Sequence, residues 1–172
     1  MRPYSRLFIL ALFVFIADQI TKLWIIASLD NGTYHIGSPF NPPITVIDGF
    51  FYIVHIQNDG AAWGMFSGHG YLLGVLGIFA LYAIFHYRKA LALDNPVIQC
   101  AFGMMIGGIL GNMVDRFRLN RVIDFLDFHL PFYGRYPSFN IADCGITIGV
   151  GLYIVYSFVL DKKAKKQSGN EN

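Results

Sequence analysis

Apolar runs about as long as a membrane crossing constrain this chain more than any other feature. They fall at about residues 6–27, 70–88, 96–116 and 139–160, and a helix needs about 20 apolar residues to span the hydrocarbon core of a bilayer. Only 14% of the residues are charged and 55% are hydrophobic, against about 25% charged in an ordinary soluble chain. The expected fold is an all-α membrane protein of four transmembrane helices in one domain, residues 1–161. A small extracytoplasmic β-region at about 30–67 and a second extracytoplasmic connection at 117–138 complete it, and a disordered basic cytoplasmic tail follows at 162–172. The basic residues form no patch interleaved with aromatics, so nucleic acid is not an expected partner.

The first apolar run follows Arg2 and Arg6 and resembles a secretory signal peptide. Cleavage after Ala17 would need a small residue where Phe15 stands, and cleavage after Ala27 meets Ile25 at the same place. The apolar pattern also resumes past Asp18 and Lys22, which predicts a retained first helix. Asp18 and Lys22 stand i,i+4 and can pair on one helix face. Two readings of that pair stand: a functional one, and a helix end that reaches the interface with Lys22 snorkelling.

Between about 30 and 67, turn residues bracket short β-branched and aromatic runs, the second at 50–56. Asn58-Asp59-Gly60-Ala61-Ala62-Trp63 then mixes turn residues with large apolar ones, as suits a loop at headgroup level. Asn31-Gly32-Thr33 matches a glycosylation acceptor, a weak three-residue pattern. Gly103, Gly107 and Gly111, with Gly108 beside them, form a small-residue stripe that admits a neighbouring helix, and Gly145 and Gly149 form another.

Four helices place both termini on one side. Arg2, Arg6, Arg88, Lys89 and the lysines of the tail fall on that side, which makes it cytoplasmic. Asp18, Asp115, Asp124, Asp143 and the β-region then gather at the outer face. Ionisable groups in membrane helices cost about 2.5–3.5 kcal/mol each at the centre, so such a cluster calls for a function. Asn112 and Asp115 are spaced i,i+3, as are Asn140 and Asp143, while Asp124 lies in the connection between those helices, flanked by Val122, Ile123 and Phe125. Two carboxylates brought together in such a setting share a proton, so that one can activate water while the other polarises a carbonyl. No cofactor is required. Neither an H-E-x-x-H nor a G-x-S-x-G motif occurs, and His35, His55, His69, His86 and His129 are scattered. Cys144 is a weaker nucleophile candidate with His129, since it projects about 100° around the helix from Asp143. Asp127 repeats the Asp124 pattern and competes with it if that segment is helical. Arg116 is expected to pair with Asp115, and Arg118, Arg121 and Arg135 either attract lipid phosphates or are simply solvated. Cys100 and Cys144 begin helices on opposite sides, too far apart for a disulfide.

Five stretches carry a resemblance to the bacterial lipoprotein signal peptidases (signal peptidase II). They are Asp18-Gln19-x-x-Lys22; Asn58-x-Gly60-Ala61-Ala62-Trp63; Gly107-Gly108-x-x-Gly111-Asn112-x-x-Asp115-Arg116; Val122-Ile123-Asp124-Phe125; and Phe139-Asn140-Ile141-Ala142-Asp143. They stand in the family's order across nearly the whole chain. The resemblance implies an intramembrane aspartic peptidase of the inner membrane that cuts prolipoproteins just before the diacylglyceryl-modified lipobox cysteine. Asp124 and Asp143 would be its dyad. Asp18, Lys22, Asn58, Gly60, Gly108, Asn112, Asp115, Arg116 and Asn140 would support the dyad or place substrate and lipid. The implied partners are diacylglyceryl-prolipoproteins, membrane lipids and inhibitors of the globomycin type, with the chain working as a monomer. Cys144-Gly145 departs from the pair more usual after the last aspartate. A small transporter or proton channel would instead distribute polar groups through the membrane depth, and a non-enzymatic assembly factor would tolerate Asp→Asn changes.

Overall fold

The computed structural model describes residues 4–32, 42–61 and 65–168. In chain order the elements are α1 (Ser5–Ser28), β1 (Ile44–Ile47), β2 (Phe51–Asn58), α2 (Gly70–His86), α3 (Pro96–Leu119), β3 (Val122–Leu130), β4 (Gly134–Arg135) and α4 (Ile141–Ser168). Among the described residues, three helices are long and apolar enough to cross a membrane: Ser5–Ser28, Pro96–Leu119 and the Ile141–Val159 part of α4. α2 is equally apolar but has 17 residues, about 25 Å of helix at 1.5 Å per residue. Large apolar side chains point outward along the helices, among them Phe8, Phe13, Phe79, Phe85, Val155 and Phe158. In water such a surface would drive aggregation; in lipid it is the ordinary exterior of a helix.

α3 is the central helix and packs against α1, α4 and α2. Pro96 occupies its first turn, and the Asn95 side chain caps it by accepting from the Val97 amide at 2.9 Å. It ends at Asn120, whose left-handed backbone (φ 56°) stops the helix. The glycines of α3 serve two neighbours rather than one. Added Cβ atoms at Gly103 and Gly107 would run into the Leu7 and Ala11 carbonyls of α1, and one at Gly108 would strike the Ala142 carbonyl of α4. Gly145 and Gly149 return the contact from α4, against the backbone of Met104 and Ala101. Backbone-to-backbone approach of this kind is what small residues allow in membranes. Gly108→Ala should therefore force α3 from α4 and cost about 1–3 kcal/mol, the usual range for overpacking, read as a lower midpoint of thermal unfolding in detergent. An unchanged midpoint would mean that the helices have slack there.

The sheet departs from expectation. It is a single antiparallel sheet of order β1-β2-β3-β4, to which both connections contribute. The all-α description is thus corrected to a helix-rich fold with a four-stranded sheet, in which the 117–138 connection pairs with the expected β-region. Val122-Ile123-Asp124-Phe125 opens a nine-residue strand whose first residues are buried. Asp124 pairs with Ile56 and Val122 with Asn58. The two aspartates of β3, and the three arginines, Pro131 and Gly134 around it, mask its β-branched and aromatic content. The cluster of Ile25, Ile123 and Phe125 then fastens the sheet to the end of α1. α3 continues past 116 to Leu119, and α4 continues through Ser168 where a disordered tail was expected from 162. Both cysteines are free. Arg2, Thr33, Ala62 and Trp63, on which the positive-inside, glycosylation and headgroup-loop readings partly rested, lie outside the described residues.

Candidate active site

The polar residues singled out in the sequence meet at one end of the helices. Lys22 is only 2% exposed, so it does not snorkel. Its ammonium lies 2.8 Å from Asp18 Oδ2 and 2.8 Å from Asp115 Oδ2, and it donates to Asn112 Oδ1 at 3.0 Å. An ammonium has three protons to give, and these three acceptors take them. Asp18 also accepts from the Ala142 backbone amide at 2.9 Å, which ties α1 to the first turn of α4. Asp115 pairs with Lys22 rather than with Arg116. Arg116 instead reaches the Gly60 carbonyl, at 3.4 Å.

Lysine can only donate, so the carbonyl oxygen of Asn112 must face it. The amide nitrogen of Asn112 is thereby directed outward, and it donates to Asp143 Oδ1 at 2.7 Å. Asn140 completes the arrangement. Its Nδ2 donates to Asp124 Oδ1 at 2.7 Å and to Asn112 Oδ1 at 3.1 Å. Its Oδ1 accepts the Asp143 backbone N–H at 3.0 Å, while its own N–H donates to Asp143 Oδ2 at 3.2 Å. That reciprocal pair is a capping box at the start of α4, with Asp143 as its acidic member. One asparagine therefore holds both carboxylates.

Asp124 receives a second donor from Asn58 Nδ2 at 2.9 Å, and Asn58 Oδ1 accepts the Gly60 amide in a tight turn. Burial pushes the Asp124 carboxyl up to about 7, with the negative charge of Asp143 adding to the rise and the two asparagine donors opposing it. Asp143 stands in the first turn of α4. Both line one cavity of about 780 Å³, with Arg116, Gly60, Phe139 and Ile146 among the other walls.

All the residues expected at the site are in this region, though not all touch Asp124 or Asp143. Asn58, Asn112 and Asn140 do so directly. Asp18, Lys22 and Asp115 act one layer back, through Asn112 and the α4 terminus. Gly108 is a packing residue. Cys144 lines the cavity, whereas His129 bonds Asp127, so no cysteine–histidine pair forms between them. Asp127 lies in a strand rather than a helix and is held by its own partners, Arg135 and Ser138. Sequence reasoning gave Gln19 no role, yet its Nε2 donates to Asp18, Asp115 and the Gly111 carbonyl at 3.2–3.3 Å. Its place beside Asp18 in the first of the five stretches was the available signal.

A family model described as signal peptidase (SPase) II matches residues 10–159. A lipoprotein signal peptidase of Symbiobacterium thermophilum is 32% identical over 155 residues, 90% of this chain and 95% of that protein. One of Bacillus velezensis is 33% identical over 160 residues, 93% of this chain and 98% of that protein. Two solved bacterial membrane enzymes, determined by the in meso method at 2.3 and 1.9 Å resolution, share the fold. The first has a TM-score of 0.74 and 37% identity, covering 91% of this chain and 89% of its own. The second has a TM-score of 0.68 and 38% identity, covering 86% and 89%.

Proposed function

The chain belongs to the signal peptidase II family, a family of membrane proteases that remove signal peptides from prolipoproteins, and from that premise we propose that it is an aspartic endopeptidase whose dyad is Asp124 and Asp143. It cuts just before the diacylglyceryl-modified cysteine of its substrate. The observation that carries this reading is Asn140, which bonds both carboxylates where they line one cavity.

In the reaction, the Asp143 carboxylate takes a proton from water as the water oxygen attacks the scissile carbonyl carbon. The Asp124 carboxyl gives its proton to the carbonyl oxygen. Collapse of the tetrahedral intermediate returns one of its hydroxyl protons to Asp124, while Asp143 passes its proton to the departing amine. The dyad ends as it began, and no metal or covalent enzyme intermediate enters.

All four helices cross the inner membrane, with α2 meeting it at reduced thickness, and both termini are cytoplasmic. This orientation is supported by Arg6, Arg88 and Lys89 lying at the ends of α1 and α2 remote from the dyad. The dyad then sits near the outer face, where a substrate held by acyl chains presents its peptide bond. Inhibitors of the globomycin type would occupy the same cavity.

Incubation of purified protein with a diacylglyceryl-modified prolipoprotein, and with its unlipidated form, tests the reading. Mass spectrometry should find the lipidated cysteine as the new N-terminus, and no product from the unlipidated chain. Cleavage at another bond, or none, would refute it. The pH profile supplies a further check. Because Asp124 must carry a proton and its carboxyl is pushed up to about 7, kcat/KM should fall as pH rises through that value. A profile flat to about pH 9 would leave Asp124 without the acid role.

A further inference from the structure

Another buried carboxylate lies beside the cavity and takes no part in the reaction just described. Asp127 of β3 is 1% exposed. Its Oδ1 accepts from Arg135 Nε at 2.7 Å and from the Ser138 hydroxyl at 2.6 Å, and Arg135 Nη2 donates to Ser138 Oγ at 3.0 Å. Its Oδ2 faces His129 Nε2 at 2.9 Å. Serine, histidine and aspartate are all present, but the serine and the histidine each bond the aspartate, so no base activates the hydroxyl.

The placement of these partners gives the cluster a purpose. Arg135, Tyr136, Pro137, Ser138 and Phe139 form one wall of the cavity that holds the dyad. Between Gly134 and the start of α4 the chain has only the two residues of β4 as regular structure. A segment with so few ladder bonds depends on side chains for its shape. A buried charge costs desolvation that an apolar residue would not, so what the cluster adds is a specific geometry more than stability.

The backbone divides the wall in two. Phe139 exchanges amide bonds with Leu126, donating at 3.1 Å and accepting at 2.9 Å, and Asn140 follows directly. That end, and with it the dyad, is fixed without Asp127. Residues 135–138 are held more lightly: Arg135 pairs with His129 in the two-residue β4, the Tyr136 N–H donates to the Phe128 carbonyl at 2.8 Å and its ring meets Phe139, and the Asp127 cluster ties Arg135 and Ser138 to β3.

We propose that Asp127 is a substrate-positioning residue: through Arg135 and Ser138 it sets the wall against which the polypeptide beside the scissile bond is held. The inference rests on the peptidase reading above. Since the dyad is anchored separately, loss of the cluster should weaken substrate binding and leave the chemical step alone.

Steady-state cleavage of the lipidated substrate decides the matter. Asp127→Asn removes the charge that Arg135 and Ser138 bond, and should raise KM about tenfold with kcat within about twofold of wild type. Ser138→Ala should raise KM about threefold, and Ser138→Thr, which keeps the hydroxyl, should restore it. If Asp127→Asn gives no folded protein, the Ser138 pair carries the test. A KM unchanged in Asp127→Asn, or in Ser138→Ala where that pair decides, would overturn the inference while leaving the peptidase reading intact. So would a fall in kcat at constant KM, the signature of lost active enzyme. Absence of cleavage by the wild-type protein would overturn both.

Discussion

Asp124→Asn should lower kcat by about a thousandfold or more, the loss of a general acid from a pair that works as a unit. Asp143→Asn should do the same by removing the base. Asparagine has the shape of aspartate, so neither change opens a cavity. The two variants separate on stability. The folded-state carboxyl of Asp124 is raised to about 7, well above the value of about 3.9 in an unfolded chain. Between those values the folded protein binds the extra proton, so the group's contribution to stability is full below about pH 4 and is lost as pH rises through about 7. A neutral amide has no such loss. Asp124→Asn should accordingly be inactive yet at least as resistant to thermal unfolding as wild type at pH 8. Cleavage within about tenfold of wild type would remove Asp124 from the chemistry. A variant inactive only because it is unfolded would show as a lowered midpoint at that pH.

Lys22→Met should have the largest effect on folding. It leaves Asp18 and Asp115, buried 2.8 Å from the former ammonium, without their common cation. Removing one partner of a buried pair costs about 3–5 kcal/mol, and here two carboxylates are stranded. The carbonyl of Asn112 also loses its donor, which frees that amide to rotate away from Asp143. Both a sharply lowered unfolding midpoint in detergent and loss of activity are expected. Adding Asp18→Asn and Asp115→Asn should recover much of the stability, because the charges needing compensation are gone. A midpoint within about 2 °C of wild type for Lys22→Met alone, against the 2–4 °C that 1 kcal/mol is worth at this chain length, would refute this account.

Gly108→Ala and Asp127→Asn probe different links of the same construction. The first tests helix contact beneath the site, and the second tests the wall above it. Neither touches the carboxylates, so their readouts are stability and KM rather than the chemical step.

Legibility was uneven, and the reason differs by residue. Asp18 with Lys22, and Asn140 with Asp143, were readable as pairs because helical spacing places them on one face whatever the fold. The capping box at Asn140 is local in the same way. Asp124 was readable as a residue but not as part of a strand: its β3 run pairs with β2 across more than sixty residues of chain, and no local period reveals that. The choice between a snorkelling and a buried Lys22 depended on whether α3 brought Asp115 and Asn112 against it. Gln19, the Asp127 cluster and the division of the glycines between α1 and α4 were likewise questions of which neighbour arrives.

The sequence by itself determined the helices and the polar residues that gather at one end of the molecule, because apolar length, helical spacing and the five motif stretches are all properties of the chain alone. Tertiary structure decided which group restrains which. One asparagine came to hold both carboxylates, one lysine to balance two buried acids, and the second connection to become sheet. Those outcomes depend on distances between segments far apart in the chain, and a hydrogen bond or an ion pair forms only when packing brings its two ends within about 3 Å.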